Sequence, residues 1–241
     1  MMITVVWVLL LTIIAAFIQR VTGFGFGIFV MMFFPYILTS YGASTALSGL
    51  LAGSTALLIA IRQWRYIRWR LMFVVLSSNI IVSFLAIHYM ASLSNVVLKR
   101  SFGAMFALIA LYFLFGSGKI RFRFRSSFSQ GVIGALSGVM GGMFAMPGPP
   151  LVLYCIGRID DKQAYIATLQ AFSVLLNVFY TLFRAKVGFF TSDTCLLWVV
   201  GLVGVVIGTH VGTCLFERIS ASALRKIVYL FLLVSGLIAM C

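Results

Sequence analysis

Acidic side chains are almost missing from this sequence. Of 241 residues only four are acidic, Asp160, Asp161, Asp193 and Glu217, and none lies inside a long apolar run. A carrier that moves protons through a membrane-embedded carboxylate is therefore not expected. Coupling would fall to a histidine, to the substrate's own proton, or to nothing. Histidine is equally scarce, with His88 and His210 alone. Integral-membrane enzymes gather carboxylates or histidines at a membrane boundary, so enzymatic chemistry is not expected either. The four cysteines, Cys155, Cys195, Cys214 and Cys241, show no metal-type pairing. Three lie in apolar runs and read as small packing residues. Neither a metal nor a cofactor is expected. No GxxxxGK[ST] loop occurs, so a nucleotide-driven permease would need a partner to hydrolyse nucleotide.

Charge of any kind is short, at 9% of residues against 63% hydrophobic. A soluble domain of this size needs more polar surface. The net charge of +14 comes from short basic clusters between long apolar runs. That is the pattern of membrane loops and not of a nucleic-acid-binding face.

What the sequence has is apolar length. Runs cover approximately 3–20, 22–38, 41–61, 71–91, 97–116, 128–146, 148–158, 163–183, 194–215 and 221–240. About 20 helical residues cross a hydrocarbon core of roughly 30 Å, and most of these runs suffice. The first lacks a basic n-region and a cleavage site, and reads as a retained membrane segment. The loops "RQWRYIRWR" at 62–70 and "GKIRFRFR" at 118–125 each carry four basic residues. Placing both in the cytoplasm puts Arg20, Arg158, Lys162, Arg218, Arg225 and Lys226 on the same side, with both termini outside. Fourteen of the 18 basic residues then lie inside. Lys99, Arg100, Arg184 and Lys186 fall outside. Ten full crossings, or six or eight with re-entrant hairpins, fit this count equally.

The halves are alike. At an offset of 122, Gly23 faces Ala145, Gly25 faces Pro147, Phe26 faces Gly148 and Arg62 faces Arg184. An offset of 126 pairs 98–113 with 224–239. Five runs per half is an odd number, so the halves are expected to be inverted in the membrane. The expected fold is an all-α membrane protein. It is a multi-pass helical bundle of two inverted five-segment repeats, 1–117 and 128–241, joined by a basic cytoplasmic linker at 118–127. Broken or re-entrant helices are expected at the start of each repeat. Thr22-Gly23-Phe24-Gly25 and Pro147-Gly148-Pro149-Pro150 supply the breaks, because glycine and proline both weaken a helix. Interrupted backbone at membrane depth persists only where protein or a watery cavity satisfies it. Two such breaks would turn helix N-termini toward one place, and those ends favour anions.

On "QRVTGFGFGIF" at 19–29, "GPPLVLYCIGR" at 148–158, the "YIATLQAFSVLLN" run at 165–177 and the paired late segments, the chain resembles the sulfite exporter TauE/SafE family. The resemblance covers nearly the whole chain. It implies a multi-pass inner-membrane transporter of small anions such as sulfite, sulfonates or other sulfur-containing or organic acids. Ala145 and Pro147 stand where the family has glycine. An anion channel, or a membrane subunit of a larger permease, is the alternative. The expected partners are a small anion and the lipid bilayer, with a homo-oligomer left open and nucleic acid excluded.

Several polar residues are candidates for the substrate site. Arg20 has a planar fork suited to a sulfonate or carboxylate at a buried hairpin tip. It reads equally as a flanking arginine that snorkels to headgroups. Gln19 and Thr22 would add neutral hydrogen bonds. Gln170, Ser173, Asn177, Thr181 and Arg184 follow at spacings of 3, 4, 4 and 3, so they share one helix face. The line through Thr45, Ser48 and Thr55 matches it in the first half. Such faces turn toward other helices or a water path.

Overall fold

The computed structural model describes residues 2–98, 100–102, 104–105, 126–220 and 223. Most of the runs at 97–116 and 221–240, the 118–125 loop, and the pairing of 98–113 with 224–239 lie outside the described residues. Within them the elements are helical and no strand occurs.

The helices in chain order are α1 (Met2–Thr22), α2 (Phe26–Met31), α3 (Phe34–Ile37), α4 (Tyr41–Gln63), α5 (Phe73–Ala91), α6 (Ser127–Phe144), α7 (Gly148–Ile156), α8 (Lys162–Lys186) and α9 (Ser192–Arg218). Short 3₁₀ turns at Trp64–Tyr66 and Trp69–Leu71 join α4 to α5. The starts of α4, α8 and α9 carry capping side chains. Ser40 accepts from the Ala43 amide, Asp161 from that of Ala164 and Thr191 from that of Thr194. Asp161, in the acidic loop, is thus a helix cap.

Helices α1, α5, α8 and α9, and α4 with its following turn, are long and apolar enough to cross a membrane. Their outer faces carry large exposed hydrophobics such as Trp7 and Leu10 on α1, Phe84 and Leu85 on α5, and Val199 and Val203 on α9. In a bilayer these faces meet lipid at no cost. Six residues of α2 rise only about 9 Å and nine of α7 about 14 Å, so neither crosses alone.

Close packing is organised by two glycine seams. On α9, Gly204, Gly208 and Gly212 lie against the α1 backbone at Leu9, Ile13 and Phe17, so the two helices run parallel. On α6, Gly134, Gly138 and Gly142 lie against α5 at Val75, Asn79 and Ser83, again parallel. A side chain at any of these positions would hold the helices apart. Between the pairs, α4 and α8 pack antiparallel: Gly42 meets Phe189, while Gly53 meets Asn177. The backbone amide of Arg68, just past α4, is held by the Thr168 hydroxyl at 3.1 Å.

The chain after α1 turns back. Thr4 at its start and Leu38 and Thr39 beyond α3 line one cavity of about 240 Å³. In the second half, Ser78 of α5 bonds the Gly131 carbonyl near the start of α6, and Tyr154 of α7 reaches back to the Leu71 carbonyl before α5. Leu38 and Thr39 thus lie near the start of α1, and Tyr154 near the start of α5.

Candidate functional site at the crossing of two chain breaks

Helix α1 stops at Thr22 because Gly23 and Gly25 take φ of 89° and 99°, values open mainly to glycine. At the matched place in the second half, Ala145 takes φ 58° and ends α6. An alanine there bears strain of about 1–2 kcal/mol, so the break is held by its surroundings. The Ala145 amide bonds the Gly141 carbonyl, and the Met146 amide that of Met140.

The two breaks touch. A Cβ on Gly27 would lie 2.1 Å from the Ala145 carbonyl oxygen, and one on Gly148 would lie 3.0 Å from the Phe24 ring. They meet beside Ala52, halfway along α4, and Ser173, halfway along α8. A cavity of about 40 Å³ opens there, lined by Gly23–Ile28, Ala145–Gly148, Gln19, Ser173 and Asn177 among others. That volume holds a few waters.

Among the residues singled out from sequence, Gln19, Gly23, Phe24, Gly25, Pro147, Gly148, Ser173 and Asn177 line this cavity. Gln170 stands behind it as a tie. Gln19 Nε2 donates to Gln170 Oε1 at 2.9 Å and to the Ala52 carbonyl at 3.3 Å, and Gln170 Nε2 donates to the Gly23 carbonyl at 3.0 Å. One amide pair thus joins α1, α4, α8 and the first break, while Gln19 Oε1 stays buried without a partner among the described residues. Thr22 Oγ1 lies 2.8 Å from the Ile18 carbonyl and 2.7 Å from that of Phe24, closing the helix end. Pro149 and Pro150 are buried in the first turn of α7 and do not line the cavity.

Arg20 points elsewhere. It is 5% exposed, yet it does not line the cavity. Its Nε donates to Thr213 Oγ1 on α9 at 2.9 Å, and its guanidinium lies 4.3 Å from the centre of the Phe216 ring. Lys162 Nζ approaches the same ring at 3.8 Å and donates to the Phe216 and Ile219 carbonyls. Nη1 of Arg20 is buried without a partner among the described residues.

A residue family model for sulfite exporter TauE/SafE matches 8–238, nearly the whole chain. The chain belongs to the TauE/SafE family. No curated protein and no solved structure matches it. TauE/SafE membership, with several apolar helices long enough to cross, makes this a multi-pass membrane protein of a transporter family.

Sequence reasoning did not assign a role to Ser137, which fixes the second break of this TauE/SafE chain. Its hydroxyl donates to the Pro147 carbonyl at 2.8 Å and accepts from Asn79 Nδ2 at 2.9 Å. Asn79 Oδ1 accepts in turn from the Tyr180 hydroxyl at 2.8 Å. A chain of bonds thus runs from α8 through α5 and α6 to the break. The readable signal was the spacing of Ser137 within the seam Gly134–Gly138–Gly142. His88 and His210 are exposed on the outer faces of α5 and α9.

Proposed function

We propose that this protein is a secondary transporter that exports a small anion across the cytoplasmic membrane by alternating access. The anion class is sulfite, a sulfonate, or another sulfur-containing or organic acid. The observation that carries this reading is the contact of two matched chain breaks around a largely apolar cavity, into which Gln19, Ser173 and Asn177 bring polar groups, at mid-length of α4 and α8. The antiparallel packing of these two matched helices supports an inverted repeat, and the returning short helices support re-entrant hairpins.

The two breaks are unequal as anion hosts. Gly25, Phe26, Gly27 and Ile28 all carry N–H groups at the start of α2, where no earlier turn supplies acceptors. In Pro147–Leu151 only Gly148 and Leu151 carry one, because proline has none. The first break supplies most of the backbone donors, and the second supplies shape. Ser173, Asn177 and the Gln19–Gln170 pair add neutral polar groups. Arg20, on the side of the Arg62 loop, gives the field that draws an anion toward the cavity. The α1–α9 and α5–α6 pairs would rock about α4 and α8. Export of a monovalent anion from a negative interior gains about 2.3 kcal/mol per 100 mV, so the membrane potential suffices to drive it.

Proteoliposomes loaded with radiolabelled sulfite test this reading. Saturable efflux with counterflow is expected, and the double substitution Ser173→Ala with Asn177→Ala should lower it at least about tenfold, the equivalent of 1.4 kcal/mol of lost binding. Efflux that rises linearly with concentration and shows no counterflow would favour a channel instead. Undiminished efflux in the double variant would remove the cavity from the path.

A further inference from the structure

Arg184 lies two turns beyond Asn177 on α8 and is 1% exposed. Its Nη2 donates to the carbonyls of Gly141 at 2.8 Å and Gly142 at 3.2 Å. These are last-turn carbonyls of α6, where a cation meets the negative end of the helix dipole. This accounts for part of the guanidinium only. Nε and Nη1 are buried without hydrogen-bond partners among the described residues. The ionisable groups that act on it most are Tyr180 and Tyr41, both neutral phenols. The Tyr180 hydroxyl is engaged by Asn79. The Tyr41 and Ser48 hydroxyls are buried without partners among the described residues, and both lie on the face of α4 that includes Thr45. A buried arginine with donors to spare and no carboxylate beside it suits an oxyanion.

We propose that Arg184, with the hydroxyls of Tyr41 and Ser48, forms a second anion position beyond the cavity at the breaks. Its ligand is the same class of small oxyanion, so this inference rests on the transporter reading for the identity of the ligand. Gly49 makes the connection. Arg184 Nη1 and Asn177 Oδ1 lie 2.8 Å and 3.2 Å from the point where a Cβ on Gly49 would sit. Asn177 is itself a wall of the cavity. A bare backbone at Gly49 therefore leaves the guanidinium and the cavity in reach of one another. An anion moving outward exchanges the backbone amides of the first break for a charged side chain. The offset of 122 pairs Arg184 with Arg62, which is exposed, so this position belongs to the second half alone.

Selenite, an anomalous-scattering analogue of sulfite, locates anions directly in crystals of the full chain. Wild-type protein should show one anomalous peak at the breaks and a second at Arg184. Arg184→Gln should lose only the second. Because Arg184 also holds the end of α6, Gly49→Ala is the companion variant. Its methyl would lie 2.8 Å from Nη1, so the guanidinium must shift while keeping its charge, and the second peak should weaken with a smaller drop in thermal midpoint than in Arg184→Gln. Sulfite efflux should fall about tenfold in Arg184→Gln, and Arg184→Lys should recover most of it. A peak at the breaks alone, or unchanged efflux in Arg184→Gln, overturns the second position and leaves the transporter reading intact. A peak at Arg184 alone supports this inference and removes the breaks as the binding place. No peak at either, with no efflux of sulfite, overturns both.

Discussion

Replacing Gly27 with alanine places a methyl carbon 2.1 Å from the carbonyl oxygen of Ala145. Real contacts of this kind essentially never fall below 3.0 Å. Neither partner is a flexible side-chain tip; both belong to the backbone of a break. The two breaks must therefore part by roughly 1 Å, and overpacking of this kind costs about 1–3 kcal/mol or more. If even ~1.4 kcal/mol of that strain falls on the binding-competent state, anion affinity drops about tenfold. The assay pairs a thermal midpoint in detergent with sulfite efflux from proteoliposomes. Gly131→Ala is the matched control, since a Cβ there meets nothing within 4 Å among the described residues. In the helical interior of α6 that control should stabilise by up to about 1 kcal/mol. A Gly27→Ala protein with wild-type midpoint and efflux would show that the breaks do not touch as described, and the site built on their contact would fall with it.

Two further outcomes follow from the same geometry. Ala145→Gly removes left-handed strain at the second break, and after the extra entropy cost of glycine the thermal midpoint should rise by the equivalent of about 0.5–1 kcal/mol; a fall would mean the methyl packs favourably and the strain is not released. Tyr180→Phe strips the donor from Asn79 Oδ1 and leaves a buried amide oxygen unpaired, at about 1–3 kcal/mol by denaturation in detergent; an unchanged midpoint would break the proposed tie between α8 and the second break.

The places where the backbone fails were legible because glycine and proline act locally. Gly23-Phe24-Gly25 needed no partner to be read, and the 122 offset then pointed to Ala145, whose positive φ matches that of Gly23. The polar stripe of α8 was also legible from helical spacing, and Ser173 and Asn177 do line the cavity. The direction in which each long side chain turns was not. Arg20 and Gln19 are chain neighbours, yet α-helical geometry sends Gln19 toward α4 and α8 and Arg20 toward α9. Arg184 was counted with the outer loop because it ends an apolar run; its burial depends on the carbonyls that α6 offers it. Run seven, at 148–158, is visibly short of the roughly 20 residues a crossing needs, whereas run two, at 22–38, has the composition of a crossing segment, and its course depends on tertiary packing.

The glycine seams have a consequence for biogenesis. One of them joins helices from opposite parts of the chain order: α1 is complete at Thr22 while its seam partner begins only at Ser192. At a synthesis rate of about 5–20 residues per second, α1 waits on the order of ten seconds or more before that surface arrives. During the wait its contact stripe must be covered by lipid or by the insertion machinery. Separate expression of 1–117 would strand it permanently, whereas α5 and α6 are close in sequence and can close their own seam early.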